Sequence, residues 1–451
     1  MNSRIYIWAL TSALAGFLFG FDMVVISGAD ELIQAKWQSN ELQHGLVMSA
    51  ALWGTVIGSL IGFIPTDRLG RTKTLICIGV LYLVSAIWSA AASDMYSFMI
   101  ARLLGGIGVG ISTIAAPLYI SEISPADRRG RLAGIFQFNI VFGVLIAYAS
   151  NLLFGSFGGE NIWRWMLGIE AVPALIFSVL CFSLPESPRW LIAKRGDHAN
   201  GKKVLGLINP ELTDADIERI VANISQNQSQ SEAANQTKDP FWSARLKTPI
   251  MLAIFVALFN QLSGINAVLY FAPRIFGMAG SSEQVKLLES FGIGVTNLIF
   301  TFVGLWLIDR LGRRTLLYIG SAGYIISLGL CSYAYFTETY SIVTACIFAF
   351  IAAHAVGQGA VIWVLISEIF PARHRATGQT LGCFTHWIMA ASLTLIFPKI
   401  LATFEPGYIF LFFCLMMVLQ AIWIALMVPE TKGVPLEEME RKLGVKPLQG
   451  S

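Results

Sequence analysis

Asp22 and Arg102 are charged residues inside otherwise apolar stretches of the chain. Asp22 lies within LTSALAGFLFGFDMVVIS, residues 10–27, and Arg102 opens the segment RLLGGIGVG. A charge at the centre of a bilayer costs about 2.5–3.5 kcal/mol on insertion scales, so such residues are rare and usually functional. A carboxylate and a guanidinium at that depth are best explained as a pair. If their separation changes, the aspartate binds a proton in one state and releases it in another; a static ion pair that fixes helix packing is the alternative.

The composition is that of a polytopic membrane protein. Of 451 residues, 55% are hydrophobic and 13% are charged, whereas about 25% are charged in a soluble domain. Mean hydropathy is +0.65. A helix needs about 20 apolar residues to cross a bilayer. Twelve stretches meet this requirement, near residues 7–28, 43–64, 73–92, 97–118, 132–153, 164–184, 249–276, 287–308, 315–336, 341–366, 377–398 and 407–428.

The basic residues predict the orientation of these spans. With a cytoplasmic N-terminus, 25 of the 31 Lys and Arg residues fall on cytoplasmic segments, which is where such residues are enriched. We therefore expect both termini in the cytoplasm of a multi-pass protein of the plasma or inner membrane. The net charge of +3 reflects topology, so no nucleic-acid partner is expected.

The chain also repeats itself. DRLGR occurs at residues 67–71 and 309–313, Ser-Glu-Ile at 121–123 and 367–369, and Pro-Glu followed by Ser or Thr at 185–187 and 429–431. Three matches at nearly one offset predict an all-α protein of two six-helix halves, an architecture used by transporters with a site near the midplane. We assign residues 1–184 to the N-terminal half, 185–248 to a cytoplasmic linker, 249–430 to the C-terminal half and 431–451 to a tail. The linker is expected to hold short helices at 192–207 and 213–226 and a flexible polar stretch that ends at Asp239.

These motifs carry a resemblance to the sugar porter family of the major facilitator superfamily over nearly the full length. The segments concerned are FGFDMVVISG, DRLGR twice, RLLGGIGVGISTIAAPLYISEISP, PESPRWL, NQLSGINAVLYFAP, IWVLISEIFP and PETKG. The resemblance implies alternating access and a monosaccharide substrate. It also implies proton coupling at Asp22 with Arg102, because proton-coupled members carry Asp at this point and facilitative animal glucose transporters carry Asn.

The resemblance further assigns a sugar site. Amides donate and accept without net charge, and an indole stacks on the apolar face of a pyranose. The residues are Gln137, Asn260, Gln261, Asn266, Asn297, Gly359, Trp363, His386 and Trp387, with Phe19 and Tyr270 as an apolar wall. Helix–helix hydrogen bonds are the alternative for the amides, and core packing is the alternative for the aromatics.

Three positions depart from the family. Asn260 stands where Gln is usual, and Ala360 stands where a proline often precedes Trp363. The glycines of span ten permit bending, but a proline hinge is absent. His386 falls where relatives often carry an amide, and a titratable group there would add pH dependence.

Charged residues repeat at the cytoplasmic ends of the spans. They are Asp67, Arg71, Glu122, Arg129 and Glu186 in the first half and Asp309, Arg313, Glu368, Arg375 and Glu430 in the second. The resemblance implies a salt-bridge latch that closes the cytoplasmic side. Topology signals and helix ends are the alternative interpretation.

Other chemistry is not indicated. The glycines of residues 105–110 follow no strand, so helix packing is expected rather than a dinucleotide loop. The six cysteines lie in spans at unrelated spacings, and no catalytic or metal-binding pattern appears. We expect no enzyme activity, no cofactor and no metal. The sequence predicts monosaccharide–proton symport by a protein that is functional as a monomer; a uniporter with the same pocket is the alternative, and a non-transporting sugar sensor is less favoured.

Overall fold

The computed structural model describes residues 3–125, 129–235 and 240–445, and all regular structure among them is helical. The first half and the linker contain α1 Ser3–Val25, α2 Asp30–Trp37, α3 Glu41–Ile61, α4 Phe63–Arg68, α5 Arg71–Ala91, α6 Met95–Ile123, α7 Arg129–Gly155, α8 Ile162–Gly168, α9 Ala171–Cys181, α10 Pro188–Arg195, α11 His198–Ile208 and α12 Asp214–Asn235. The second half and the tail contain α13 Lys247–Leu262, α14 Ile265–Met278, α15 Glu283–Leu311, α16 Arg313–Phe336, α17 Val343–Val356, α18 Gln358–Ile369, α19 Arg375–Thr403, α20 Pro406–Met427 and α21 Leu436–Lys442.

Within the described residues, twelve helical segments are long and apolar enough to cross a membrane, so the predicted all-α class is confirmed. Spans 1 to 6 are α1–α2, α3, α5, α6, α7 and α8–α9; spans 7 to 12 are α13–α14, α15, α16, α17–α18, α19 and α20. Span 1 runs over Arg4–Trp37, beyond the predicted residue 28. It continues because α2 has Asp30 and Glu31 in its first turn and Lys36 in its last, charges that suit the helix dipole.

The chain forms two compact units. Unit 1 comprises Met1–Met23, Gly54–Val144 and Leu167–Pro240, and unit 2 comprises Val24–Trp53, Leu145–Met166 and Phe241–Ser451. Spans 1, 2, 5 and 6 therefore each contribute residues to both units. Unit 2 holds the second half together with segments of these four spans.

Glycines bring α3 and α6 into close contact in unit 1. A Cβ on Gly54 would lie 2.1 Å from the Leu103 carbonyl oxygen, and one on Gly58 would lie 2.3 Å from that of Ile107. A Cβ on Gly110 would likewise lie 2.4 Å from the Ser59 nitrogen. The glycine-rich stretch is thus a helix-packing surface inside α6, as predicted.

The linker forms three helices. Ile192 of α10, Leu205 of α11 and the α12 residues Ile217 and Val221 pack into one small core. The flexible stretch predicted after residue 226 is wrong in part, because α12 continues to Asn235. Residues 227–235 contain neither Gly nor Pro to stop a helix; residues 236–239 lie outside the described part.

Spans 7 and 10 are broken in the middle, which positions the candidate site. Gly264 separates α13 from α14 with φ +87°, and a Cβ there would meet the Phe413 ring at 2.7 Å. Gly357 separates α17 from α18 with φ −88° and ψ −98°. A Cβ added to Gly357 would lie 2.7 Å from Gly320 Cα. Span 10 therefore breaks without a proline, because two glycine backbones meet there.

Candidate functional site

Asp22 and Arg102 are joined within unit 1. Arg102 Nη1 donates to Asp22 Oδ1 at 2.5 Å, and Nη2 donates to the Asp22 main-chain oxygen at 2.9 Å. Each residue is 1% exposed. The close packing of α1 on α7 fixes Asp22, since a Cβ on Gly20 would lie 1.9 Å from the Ile140 oxygen. Gly105 faces Ser85, since a Cβ there would lie 2.4 Å from Ser85 Oγ, and the same Cβ would be in ordinary contact with Asp22 Oδ1 at 3.6 Å.

Glu170 is a third buried ionisable group, which the sequence reasoning missed. It is 2% exposed at the junction of α8 and α9. Its carboxyl interacts electrostatically with Asp22 and Arg102, and its Oε1 has no hydrogen-bond partner among the described residues. The signal was present, because Glu170 falls inside the predicted sixth span and the rule that singled out Asp22 applies equally to it.

The amides of span 7 form a network in unit 2. Asn266 Nδ2 donates to Gln261 Oε1 at 2.7 Å, and Gln261 Nε2 donates to Asn260 Oδ1 at 2.9 Å. The three are at most 2% exposed. Gln261 Nε2 also lies 3.2 and 3.3 Å from the two ring nitrogens of His386. Gln261 therefore joins the end of α13, the start of α14 and α19.

The aromatic candidates of unit 2 surround His386. Its ring centroid is 5.2 Å from that of Trp363 and 4.7 Å from that of Trp387. Among the described residues, Asn266 Oδ1 has no hydrogen-bond partner. This buried acceptor suits a hydroxylated ligand, because sugar hydroxyls donate to amide oxygens, and the two indoles beside His386 suit the apolar face of a pyranose.

The remaining candidates are more dispersed. Tyr270 is buried on α14, and Gly359 on α18 packs against His354 on α17. Asn297 on α15 is half-buried, with no side-chain hydrogen bond to the residues that the structure describes. Phe19 and Gln137 belong to unit 1, where Phe19 is buried and Gln137 is half-buried.

A buried amide chain stands next to the break in span 10. Gln358 Nε2 donates to Gln420 Oε1 at 2.8 Å, and Gln420 Nε2 donates to Ser321 Oγ at 2.8 Å. Gln358 and Gln420 are both 0% exposed. This chain anchors the start of α18 to spans 9 and 12, so the position of Trp363 is fixed without the missing proline.

The repeated charges form two clusters of one design. In unit 1, Arg71 donates to Glu122 Oε2 at 2.8 Å, to Asp67 Oδ1 at 3.3 Å and, from its backbone nitrogen, to Glu186 Oε1 at 2.9 Å. Gly70, with φ +94°, lets Glu186 approach, since a Cβ there would lie 2.3 Å from its Oε2. This cluster joins α5, α6 and the segment after α9. The side chain of Arg129 lies outside the described residues.

Unit 2 repeats this arrangement. Arg313 donates to Glu368 Oε1 at 2.8 Å and to Asp309 Oδ1 at 3.1 Å, and its backbone nitrogen donates to Glu430 Oε1 at 2.9 Å. Arg375 is half-buried and has no ion pair within the described residues. Each cluster thus joins helices of one half of the repeat.

The two glutamates that follow spans 6 and 12 differ in acidity. Burial raises the pKa of Glu186, and this outweighs the backbone N–H groups of Ser187, Arg71 and Thr72. Burial also acts on Glu430, but hydrogen bonds from the N–H groups of residues 432, 313, 314 and 431 prevail and lower its pKa. Glu186 therefore takes up a proton at a higher pH than Glu430.

Comparison with known proteins identifies the class. A twelve-span all-α fold with duplicated charge clusters is that of a membrane transporter of the major facilitator type. The profile of the family described as "Sugar (and other) transporter" matches residues 8–443. The chain belongs to this family, and it is a multi-pass membrane transporter rather than an enzyme.

Its relatives are bacterial transporters. The chain is 34% identical to the arabinose-proton symporter of Bacillus subtilis, over 96% of this chain and 94% of that protein. It is 32% identical to the D-xylose-proton symporter of Escherichia coli, over 97% and 96%. The structure matches the inward open conformation of the xylose transporter XylE from E. coli with a TM-score of 0.85 and 30% identity, over 97% of this chain and 99% of that one.

Proposed function

We propose that the protein is a proton–monosaccharide symporter that works by alternating access. The observation that carries this proposal is the buried pair of Asp22 and Arg102, with the carboxyl of Glu170 close to both. Two carboxyl groups beside one guanidinium favour binding of one proton, because two like charges disfavour each other. The cluster therefore has a defined place for the coupling proton, in a protein whose relatives include two named proton symporters.

The sugar site is formed by the amides of span 7 and the indoles beside His386. The substrate is a hexose or a pentose that is bound by Asn266, Gln261 and Trp363. Further proposed sugar-binding residues of unit 2 are Asn260, Asn297, Gly359, Trp387 and Tyr270. In unit 1, Gln137 and Phe19 are proposed for sugar binding from the family resemblance. Relatives named for glucose, arabinose and xylose support a monosaccharide of this size range.

The proposed organisation follows the internal repeat. Residues 1–184 and 249–430 are the two halves, 185–248 form the cytoplasmic linker, and 431–451 form the tail. Both termini lie in the cytoplasm of a cell that carries the protein in its plasma or inner membrane, and a monomer suffices. The two clusters around Arg71 and Arg313 are the cytoplasmic latch.

The energetics favour accumulation. Moving one charge through 100 mV contributes about 2.3 kcal/mol, which corresponds to roughly fiftyfold accumulation of sugar before any pH gradient is added. A proton released from Asp22 on the cytoplasmic side provides this charge movement. Without that step, the same pocket would only equilibrate sugar across the membrane.

The test uses purified protein in proteoliposomes with a panel of radiolabelled hexoses and pentoses. For a transported sugar, Asp22→Asn is expected to abolish accumulation driven by an imposed proton gradient. Sugar counterflow is expected to persist, because it needs the pocket but no net proton movement. Asp214→Asn, at an exposed carboxylate on α12, is the matched control and should accumulate sugar like the wild type.

A uniporter is the outcome that would replace symport. It is recognised if sugar added to de-energised vesicles enters without alkalinising the medium. Accumulation that survives Asp22→Asn would remove Asp22 from the coupling step. A wild-type protein that moves none of the sugars would contradict monosaccharide transport itself.

A further inference from the structure

Two ion pairs join the ends of three helices in unit 2. Arg274 of α14 donates through Nε to Asp30 Oδ2 at 2.7 Å and through Nη2 to Gln34 Oε1 at 2.6 Å. Lys286 of α15 donates through Nζ to Glu31 Oε2 at 2.5 Å. The three acceptors lie on α2. We call these contacts the Arg274 tie and the Lys286 tie. With the cytoplasmic N-terminus proposed above, the end of span 1 that carries α2 is the external one.

Both ties connect the two halves of the sequence repeat. Their acidic partners on α2 belong to the first half, whereas Arg274 and Lys286 belong to the second. In alternating access, one half rocks against the other around a site near the midplane, so that the two sides open in turn. Contacts that connect the halves at one end must therefore break when that end opens.

Helix packing connects the halves at the same end of unit 2. Gly45 of α3 packs on α19, since a Cβ there would lie 1.8 Å from the Leu395 oxygen. The Tyr148 hydroxyl of α7 donates at 2.8 Å to the carbonyl of Leu269, which is five residues before Arg274 on α14. In each contact a residue of the first half touches one of the second. The ties thus belong to a set of contacts that close this end.

Asp30 has a second donor that belongs to its own half. His44 Nε2 of α3 lies 2.5 Å from Asp30 Oδ1, so the two carboxylate oxygens are bound to different halves. Asp30 and His44 are 1% and 0% exposed. The Arg274 side chain is 17% exposed and lines a cavity of about 500 Å³. When the Arg274 tie breaks, water can solvate the guanidinium, and the carboxylate keeps the donor from His44 instead of being left unpaired.

We propose that Arg274 and Lys286 are positioning residues that hold the external side of the sugar pathway closed, and that His44 keeps Asp30 in place when the Arg274 tie breaks. The proposal rests on the transport function and the membrane orientation above. Arg274 lies eight residues after Asn266, about two turns further along α14, so the tie also sets the position of that buried acceptor. None of these side chains needs to touch the sugar for this role.

The test measures how often the external side opens. Met48 lies on α3, four residues after His44, and is 1% exposed, so a cysteine placed there reacts with a membrane-impermeant maleimide when this end opens. The exposed Cys77 is replaced by serine in every variant. Arg274→Gln removes its tie, and Lys36→Gln is the matched control because it removes an exposed cation from α2 at the same end. Labelling is followed in intact and in permeabilised cells.

We expect Arg274→Gln to speed labelling of the Met48→Cys protein about threefold or more, because loss of the tie raises the population that is open outside. KM for external sugar should fall by a similar factor, since apparent affinity follows the binding-competent fraction. The kcat should fall as well, because closure becomes less favourable. A residue that only stabilises the fold would not lower KM. Equal labelling in Arg274→Gln and Lys36→Gln would overturn the proposal.

His44→Leu gives a prediction of opposite sign. Without the imidazole, Asp30 loses its remaining donor in the open state, so opening becomes more costly. Labelling should slow and KM should rise about threefold, whereas His44→Gln, which supplies an amide donor, should restore part of the wild-type behaviour. Faster labelling in His44→Leu, as in Arg274→Gln, would refute the role of His44.

The outcomes separate this proposal from the function on which it rests. If the wild type transports no sugar, the proposed function fails, and labelling still decides whether the ties close this end. Labelling that requires permeabilised cells in every variant would place the ties on the cytoplasmic side and overturn the external closure. If Arg274→Gln does not fold, Glu31→Gln gives the same decision, because it breaks the Lys286 tie while Lys286 keeps Glu283 at 2.7 Å.

Discussion

Glu170 changes the electrostatics of the Asp22–Arg102 pair. Two carboxylates and one guanidinium leave a net negative charge in a buried site, which is costly unless a proton neutralises it. One proton shared between Asp22 and Glu170 makes the cluster neutral. At the scale of single residues, the site is therefore a triad with room for one proton rather than a closed ion pair.

Glu170→Gln tests this triad. The substitution removes the second buried carboxyl beside Asp22, so the ionised form of Asp22 is favoured in the variant because it no longer faces a like charge. We expect the pH profile of sugar accumulation to move to lower pH, measured as initial uptake rates between pH 5 and pH 8. Glu160→Gln, at an exposed acid between spans 5 and 6, is the control. An unchanged profile would assign Glu170 to helix packing.

The chemistry of each residue determines whether its role in the site could be predicted from the sequence. Asp22 and Arg102 were predictable because a charge in an apolar run is costly wherever its partner lies. Gln261 and Asn266 were found through the family resemblance, but the hub position of Gln261 depends on His386, which is 125 residues away.

At the scale of elements, α14 is held at both ends. At its start, the backbone N–H of Ile265 donates to Ser263 Oγ at 3.3 Å. Toward its far end, Arg274 donates to Asp30 Oδ2 at 2.7 Å and to Gln34 at 2.6 Å. Asp30 also meets His44 Nε2 at 2.5 Å. Asp30 and His44 are 1% and 0% exposed. No sequence rule joins Asp30, His44 and Arg274, because they meet only through the packing of α2, α3 and α14.

Asp30→Asn tests this attachment of α14. The variant leaves the Arg274 cation without its carboxylate, and breaking a buried pair in this way costs about 3–5 kcal/mol. Glu283→Gln is the control, because Glu283 binds Lys286 with a side chain that is 84% exposed, and such pairs contribute about 1 kcal/mol or less. Thermal unfolding is followed with a thiol-reactive dye, since Cys181, Cys331, Cys346 and Cys414 are buried. Equal unfolding temperatures for the two variants would contradict the prediction.

At the scale of the whole molecule, duplication has produced two similar clusters in unequal surroundings. The side chains of Arg71 and Glu122 are 7% and 4% exposed, whereas those of Arg313 and Glu368 are 12% and 27% exposed. An unpaired carboxylate is costly in proportion to its burial. The repeat predicted equivalent clusters from the sequence, but the difference in burial arises from the helices packed around each one.

This inequality makes the two halves respond differently to the same substitution. Arg71→Ala leaves Glu122 buried without its cation, whereas Arg313→Ala leaves Glu368 partly solvated and still accepting from the Thr431 hydroxyl at 2.6 Å. We therefore expect Arg71→Ala to lower the unfolding temperature more than Arg313→Ala does, measured by the thiol-dye assay.

Arg189→Ala removes the same charge from an exposed position and should leave the temperature unchanged. Adding Glu122→Gln should recover part of the loss in Arg71→Ala, because the stranded charge is removed. A larger loss in Arg313→Ala, or no recovery with Glu122→Gln, would mean that burial of the carboxylate does not set the strength of these clusters.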